Sequence, residues 1–308
     1  MFRLVGLAIL SALFFSSTFI LNRSMSLAGG HWVWSASLRF GYMILFLSLL
    51  LLITRGRKAL LEVMAAFREH WRFWVLAGGV GFGIFYSMIS FSASYAPGWV
   101  IATTWQLTIL ATPVVLMFFG RKVPARGLLF SLVIFAGIVL VNIEHASSSN
   151  IMTVLSSALP VVISAFAYPI GNQLVWESRQ GQNPHIPHIR NPIVEDSIAR
   201  VLLLTMGSIP FWVGLVLFTA PPAPSSGQLV STALVALFSG VIATTIFLYA
   251  RNSCRHPYEI AAVDAAQAME MVFSLAGEIL FLHGTLPGWL GWAGVLLTIT
   301  GLIAYMTR

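Results

Sequence analysis

Charge is scarce in this chain and cysteine nearly absent. Only 9% of its 308 residues are Asp, Glu, Lys or Arg, where a soluble domain carries about 25%. That shortage excludes an ordinary soluble fold. The single cysteine, Cys254, excludes an internal disulfide, and no Cys and His spacing resembles a metal-ligand set. His185 and His188 are separated by Pro187 in a loop without fixed geometry, so no metal is assigned to them. Also missing are a His-Glu-x-x-His run, a Gly-x-Ser-x-Gly elbow and a phosphate-binding glycine loop. Neither an intramembrane enzyme nor an ATP-driven pump is indicated, and no cofactor is expected. What remains is apolar: 58% of the residues are hydrophobic and the mean hydropathy is +0.87.

Those apolar residues gather into ten segments, each near the ~20 helical residues that cross a hydrocarbon core. They are Leu4 to Leu21, Trp32 to Ile53, Phe73 to Phe91, Trp99 to Phe119, Gly127 to Ile143, Ile151 to Trp176, Ile198 to Phe218, Leu229 to Ala250, Ile260 to Leu282 and Trp289 to Met306. Continuous runs of this kind predict helices and not a barrel. If the chain starts inside, 15 of the 17 basic residues fall in cytoplasmic segments, and only Arg23 and Arg39 do not. Both termini are therefore expected in the cytoplasm. The net charge of +7 encodes topology here and not nucleic-acid binding.

The two halves resemble each other. With Asn22 set on Asn172, Arg39 falls on Arg200 and Gln106 on Gln267, while Gly127 and Gly137 fall on Gly291 and Gly301. Five spans per half is an odd number, so the second half is expected upside down relative to the first. The predicted architecture is an all-α membrane protein of ten transmembrane helices in two inverted five-helix repeats, residues 1–146 and 147–308. A proline-interrupted cytoplasmic linker covers about 177–197, and the first segment, which could pass for a signal peptide, is expected to be retained. Pro169 beside Gly171 predicts a broken ladder in the sixth helix. Gly79, Gly83 and Gly137 are read as close contacts between helices. Trp32, Trp71, Trp74, Trp99, Trp289 and Trp292, at span ends, are read as interfacial anchors.

Acids inside the ninth span point to function. At about 100° per residue, Asp264, Gln267, Glu270, Met271, Ser274 and Glu278 share one third of the helix circumference. An ionised group at mid-bilayer costs several kcal/mol and by default marks a functional site. By rise per residue Asp264 lies ~6 Å in, Glu270 ~15 Å and Glu278 ~27 Å. Glu270 is the midplane acid, where burial favours the neutral form of any carboxylate and a proton or a cationic substrate can supply neutrality. The bland alternative is a packing residue. Glu278 is expected to pair with Arg39 at similar depth, and Asp264 with Arg200 in the mirror-related way. Asn22, Gln106, Tyr168 and Asn172 are candidate polar pocket residues, and Trp34 and Trp105 candidate aromatic faces for a flat or cationic ligand. The position equivalent to Glu270 is Ile109, so one acid site per chain is expected.

Several stretches carry a family resemblance: SALFFSSTFILNRSM, ASLRF, YAPGWVIATTWQLTIL, AFAYPIGNQ, and LAGEILF followed by LGWAGVLLTITGLIAY. In these the chain resembles the drug/metabolite transporter superfamily of EamA-type ten-helix exporters, more narrowly its multidrug resistance efflux subgroup. It departs where Gly120-Arg121 replaces the usual Gly-Glu, and where Asp264 stands in place of a Glu followed by Pro. The resemblance implies a secondary exporter of the inner cell membrane, moving small amphipathic or cationic drugs or metabolites, with protons as coupling ion. The expected partners are that small-molecule substrate, protons and the lipid bilayer, with no nucleic acid, and the chain working as monomer or homodimer. The alternative is an ungated facilitator or lipid flippase whose acids only hold the bundle together.

Overall fold

The computed structural model describes residues 2–121, 125–254, 259, 262–264 and 266–306. Lys122, Arg255 and Arg308, used above for orientation, lie outside the described residues, as does Ile260, the expected start of the ninth segment. Among the described residues there are helices and turns and no strand. In chain order the helices are α1 (Phe2–Leu27), α2 (Trp32–Glu69), α3 (Trp71–Ser92), α4 (Gly98–Phe118), α5 (Ala125–Ser147), α6 (Ile151–Gln180), α7 (Ser197–Thr219), α8 (Ser226–Asn252), α9 (Ala262–Leu282) and α10 (Trp289–Met306). Eight of them are long and apolar enough to cross a membrane; α5 and α10 contribute the shorter apolar helices Leu132–Ser147 and Trp289–Ala304.

Capping chemistry sets several ends. Asn150 accepts from the Thr153 amide at the start of α6, Asp196 from Ile198 and Ala199 at the start of α7, and Ser225 from Gln228 at the start of α8. Gly181, in the left-handed region, ends α6. Gly56, also at positive φ, kinks α2, so the basic stretch that follows Ile53 is helical rather than an open loop. The linker after α6 is tied down by Arg179 on Glu195 and by Arg55 on Asp196 at 3.2 Å.

Packing follows a reciprocal pattern. Helix α1 lies against α8 and α9, and α6 against α3 and α4; α2 meets α7 and α8, α7 meets α3, and α5 pairs with α10. One apolar cluster, with Phe40, Leu47, Trp74, Tyr86, Leu203 and Trp212, fills the space between α2, α3 and α7. A second, with Phe19, Ile101, Ile134, Met271, Leu275 and Leu302, joins α1, α4, α5, α9 and α10.

Four helices are irregular. Residues Gly79–Ile84 of α3 and Ala236–Ala243 of α8 are wound as π-helix. In α4 the winding is interrupted at Gln106 and Leu107, and in α9 a 3₁₀ turn over Ala266–Ala268 precedes the α-helix Met269–Leu282. The expected break at Pro169 is absent: α6 runs through both Pro160 and Pro169. Gly171 instead serves close packing, since a Cβ on it would run into the backbone of Gly81, inside the π segment of α3. Of the predicted packing glycines, Gly83 faces the Phe211 ring and Gly137 faces Gly294 and Thr298, whereas Gly79 has open space beside it. Trp71, Trp289 and Trp292 are exposed as anchors should be, but Trp74 and Trp99 are buried. Trp74 donates its indole N–H to Ala66 O, so it spans α2 and α3 instead of reaching an interface.

The α5–α10 contact is made by backbone meeting backbone at Gly137, Gly294 and Gly301. Gly137→Val is therefore expected to destabilise the detergent-solubilised protein by at least ~1–3 kcal/mol through overpacking, read as a lowered midpoint of thermal unfolding. Gly79→Ala, at a position with free space, is expected to leave that midpoint nearly unchanged.

Candidate functional site

The 3₁₀ turn in α9 separates three polar side chains that a continuous helix would have put on one face. Asp264, before the turn, is taken by Arg251 of α8, with Nε 3.0 Å from Oδ1, in a partly exposed pair. Gln267, within the turn, donates to Ala8 O at 3.2 Å and Ser11 Oγ at 3.0 Å, tying α9 to α1. Glu270 comes next, in the first turn of the restarted α-helix, where the helix dipole favours negative charge. It is 8% exposed, and no hydrogen bond or ion pair to its carboxylate occurs among the described residues. One turn on, Ser274 Oγ is buried and equally without a partner. Two polar groups thus stand unsatisfied on the same stripe of α9, an arrangement that folded interiors rarely tolerate without a ligand or proton to complete it.

Aromatic rings from three helices meet in one cluster, of which Phe85 and Trp105 pack against the apolar group that includes Met271 and Leu275 of α9. Phe85 of α3 lies 4.9 Å from Trp105 of α4 and 5.1 Å from Tyr168 of α6, and Trp105 and Tyr168 meet edge to face at 5.6 Å. Below the rings, a cavity of about 250 Å³ opens between α4 and α6, lined by Thr112, Val115, Leu116, Tyr168, Asn172 and Trp176. A cluster of ring faces suits a cation that has shed its water, which the faces attract through their quadrupoles.

The other expected site residues are dispersed. Gln106, at the interruption of α4, folds back on Ala102 O at 3.3 Å. Asn22 donates to the Tyr86 hydroxyl at 3.0 Å. Trp34 donates to Pro222 O at 2.7 Å and holds the loop before α8, so it belongs to no pocket with Glu270. The two proposed ion pairs are not formed. Arg39 donates to Ser239 Oγ at 3.1 Å and lies 3.9 Å over the Tyr86 ring, while Glu278 accepts from the Gly98 amide at 2.9 Å. Arg200 serves its own helix start through Val194 O, Glu195 O and Ser197 Oγ. Depth along the bilayer does not say which helices stand opposite, and each of these residues has found other partners. Phe85 was missed because nothing distinguishes it among 22 phenylalanines. Ser274 lay on the marked face and carried no separate signal.

A polytopic helical membrane protein with an unpaired acid inside its bundle has the form of a transporter. Residues 2–308 match the family described as "EmrE: Putative multidrug resistance efflux transporter", and the chain belongs to that family. It is 37% identical over 319 residues to the uncharacterised protein YjlA of Bacillus subtilis (strain 168), covering 98% of this chain and 94% of that one. It is 38% identical over 264 residues, 81% of this chain and 65% of the other, to an uncharacterised 42.1 kDa protein of Shouchella clausii, named for its position in the intracellular alkaline protease 3′ region. A solved crystal structure at 15% identity shares the fold with a TM-score of 0.60, over 97% of this chain and 96% of its own.

If Arg39 and Glu278 act independently, a double-mutant cycle between Arg39→Lys and Glu278→Gln is expected to give a coupling energy within ~0.5 kcal/mol of zero. Unfolding in SDS measures it. A coupling of 1 kcal/mol or more, as roughly expected of residues in contact, would restore the ion pair that the geometry removes.

Proposed function

We propose that this protein is a secondary active transporter of the inner cell membrane. It exports small amphipathic or cationic drugs or metabolites in exchange for protons, with Glu270 as the coupling residue. The observation that carries this reading is the state of Glu270: buried within α9 and without a countercharge among the described residues. Proton and cation compete for the one carboxylate, so inward movement of the first drives outward movement of the second. Family membership in a transporter group speaks against an enzyme. Substrate, protons and lipid are the partners, and the chain works as monomer or homodimer.

Movement is by alternating access of two inverted five-helix repeats, 1–146 and 147–308, all ten helices crossing the membrane and both termini cytoplasmic. The reciprocal packing supports this: exchanging each helix for the one five later turns α1 on α9 into α6 on α4, and α2 on α8 into α7 on α3. The irregularities support it as well. The π segments fall in α3 and α8, and the interruptions in α4 and α9, at the matched glutamines Gln106 and Gln267. The rival reading, a facilitator or flippase with structural acids, accounts for Asp264 on Arg251 but leaves Glu270 without a role.

The test is proton movement in proteoliposomes under an imposed pH gradient, challenged with lipophilic cations and amino acids. The wild type is expected to release protons in response to at least one cation. Glu270→Gln, folded, is expected to lose that response, and Asp264→Asn to keep it. Equal behaviour of wild type and Glu270→Gln would make Glu270 a packing residue and bring the facilitator reading forward.

A further inference from the structure

Two parallel helix pairs, α4 with α6 and α1 with α9, each finish in one acid and one base. At the ends of α4 and α6, Arg121 grips Glu177 with two nitrogens: Nε is 3.1 Å from Oε1, and Nη2 is 2.9 Å from both oxygens. Glu177 is 2% exposed, and Gln173 adds a third donor at 2.9 Å. The guanidinium lies 4.4 Å over the Trp176 ring. Trp176 also lines the α4/α6 cavity, so this pair sits across one mouth of it. It was read above as the start of a free linker, because a Glu followed by polar residues and prolines gives no hint of burial.

At the opposite end of the bundle, where α1 and α9 finish, Arg23 and Glu278 reach the two ends of the short turn between α3 and α4, at Ala93 and Gly98. The signs are exchanged. The base is now on α1, the counterpart of α6, and the acid on α9, the counterpart of α4. The register also corresponds: counted from the matched pairs Asn22 with Asn172 and Gln106 with Gln267, Glu177 and Arg121 each lie one turn, four residues, beyond Arg23 and Glu278. Yet these two do not touch. Arg23 Nη1 donates to Ala93 O at 3.0 Å, and its Nε has no partner. Glu278 takes the Gly98 amide instead. A cavity of about 100 Å³ lies beside Glu278, lined also by Trp99, Glu144, His145 and Leu286.

We infer that Arg121–Glu177 and Arg23–Glu278 are the two end latches of one transport cycle, closed alternately. The described conformation has the first latch shut, which the proposed topology puts at the cytoplasmic end, and the second released at the outer end. The inference rests on the alternating-access reading. Its physical basis is that a buried charge must be compensated in both conformations: the released pair is compensated by the backbone groups of Ala93 and Gly98. Parting α4 from α6 frees the inner charges, and turning Arg23 from Ala93 O onto Glu278, on helices α1 and α9 that already pack at Ile20 and Gly277, joins the outer ones, so each conformation keeps one pair joined and the two stay close in energy.

The test is thiol accessibility without substrate, in a Cys254→Ser background. The reporters are Thr112→Cys in the α4/α6 cavity and Ser148→Cys in the outer one, labelled with a membrane-impermeant methanethiosulfonate in oriented vesicles. Arg121→Gln or Glu177→Gln is expected to raise labelling of Thr112→Cys from the cytoplasmic side by about tenfold, the factor that ~1.4 kcal/mol of lost bias gives. The same variants are expected to lower labelling of Ser148→Cys from outside. The exchange Arg121→Glu with Glu177→Arg is expected to restore both. A rise at the near reporter with no fall at the far one would make the pair a local brace and overturn the proposal, as would unchanged labelling or failure of the exchange to restore it. Should the Gln variants not fold, Arg121→Lys, which keeps the charge and loses the two-pronged grip, is expected to shift both reporters partway in the same opposite senses. Labelling does not involve Glu270, so a wrong coupling residue leaves this result intact.

Discussion

Every charge drawn into an apolar bundle must be neutralised, capped or shared, and that requirement organises this molecule. Asp264 has Arg251 and Glu177 has Arg121. Glu144 receives the amides of Gly288 and Gly291 at the start of α10, where a helix N-terminus offers unpaired donors and a favourable dipole. Glu278 receives an amide from Gly98, and Arg39 rests on Tyr86 and Ser239. Glu270 alone among these acids is given neither cation nor donor. What distinguishes it is the absence of the arrangement that each of the others has, and not simply depth in the membrane.

The irregular windings have a related origin. A helix in an apolar setting keeps its backbone bonded, so a break is tolerated only where neighbouring groups or a tightened turn replace the lost bonds. In α9 the 3₁₀ turn is flanked by Gln267, whose amide reaches α1. In α4 the interruption is closed by short turn bonds, Ile109 N to Gln106 O and Leu110 N to Leu107 O. The break in α4 adjoins Trp105 in sequence, and the break in α9 comes just before Glu270.

Much of this was legible in the sequence, and what was not has a common cause. Apolar run length gave most helices to within a few residues but stopped α2 at Ile53, where it runs to Glu69, and it marked Glu270 as the acid away from the ends of its span. Partners were misjudged because hydropathy and periodicity report a residue's height and face but not which helix stands opposite. Arg39 and Glu278 are the clearest case: expected at equal depth, they take Ser239 and Gly98 as partners instead of each other. Proline misled in α6, where Pro169 is accommodated without a break, while Gln106 and Ala266–Ala268, with no helix-breaking residue type, interrupt α4 and α9. Chain chemistry sets where a helix can fail, and tertiary neighbours decide where it does.

The lining of the site is asymmetric within a frame whose packing is reciprocal. Tyr168 and Trp105 correspond by register to Thr18 and Ala266, and Glu270 to Ile109. Rings therefore come from α3, α4 and α6, and the acid from α9. On the other side, Thr18 and Arg39 both bond Ser239, and Asn22 bonds Tyr86. On the proposed alternating-access reading, a frame with reciprocal packing would rock between two conformations of similar energy, because its contacts exchange for like contacts. On the same reading an unlike lining with one carboxylate would give a ligand one orientation. Symmetric packing and asymmetric lining would then divide two tasks between the same helices, movement in the first and selection in the second.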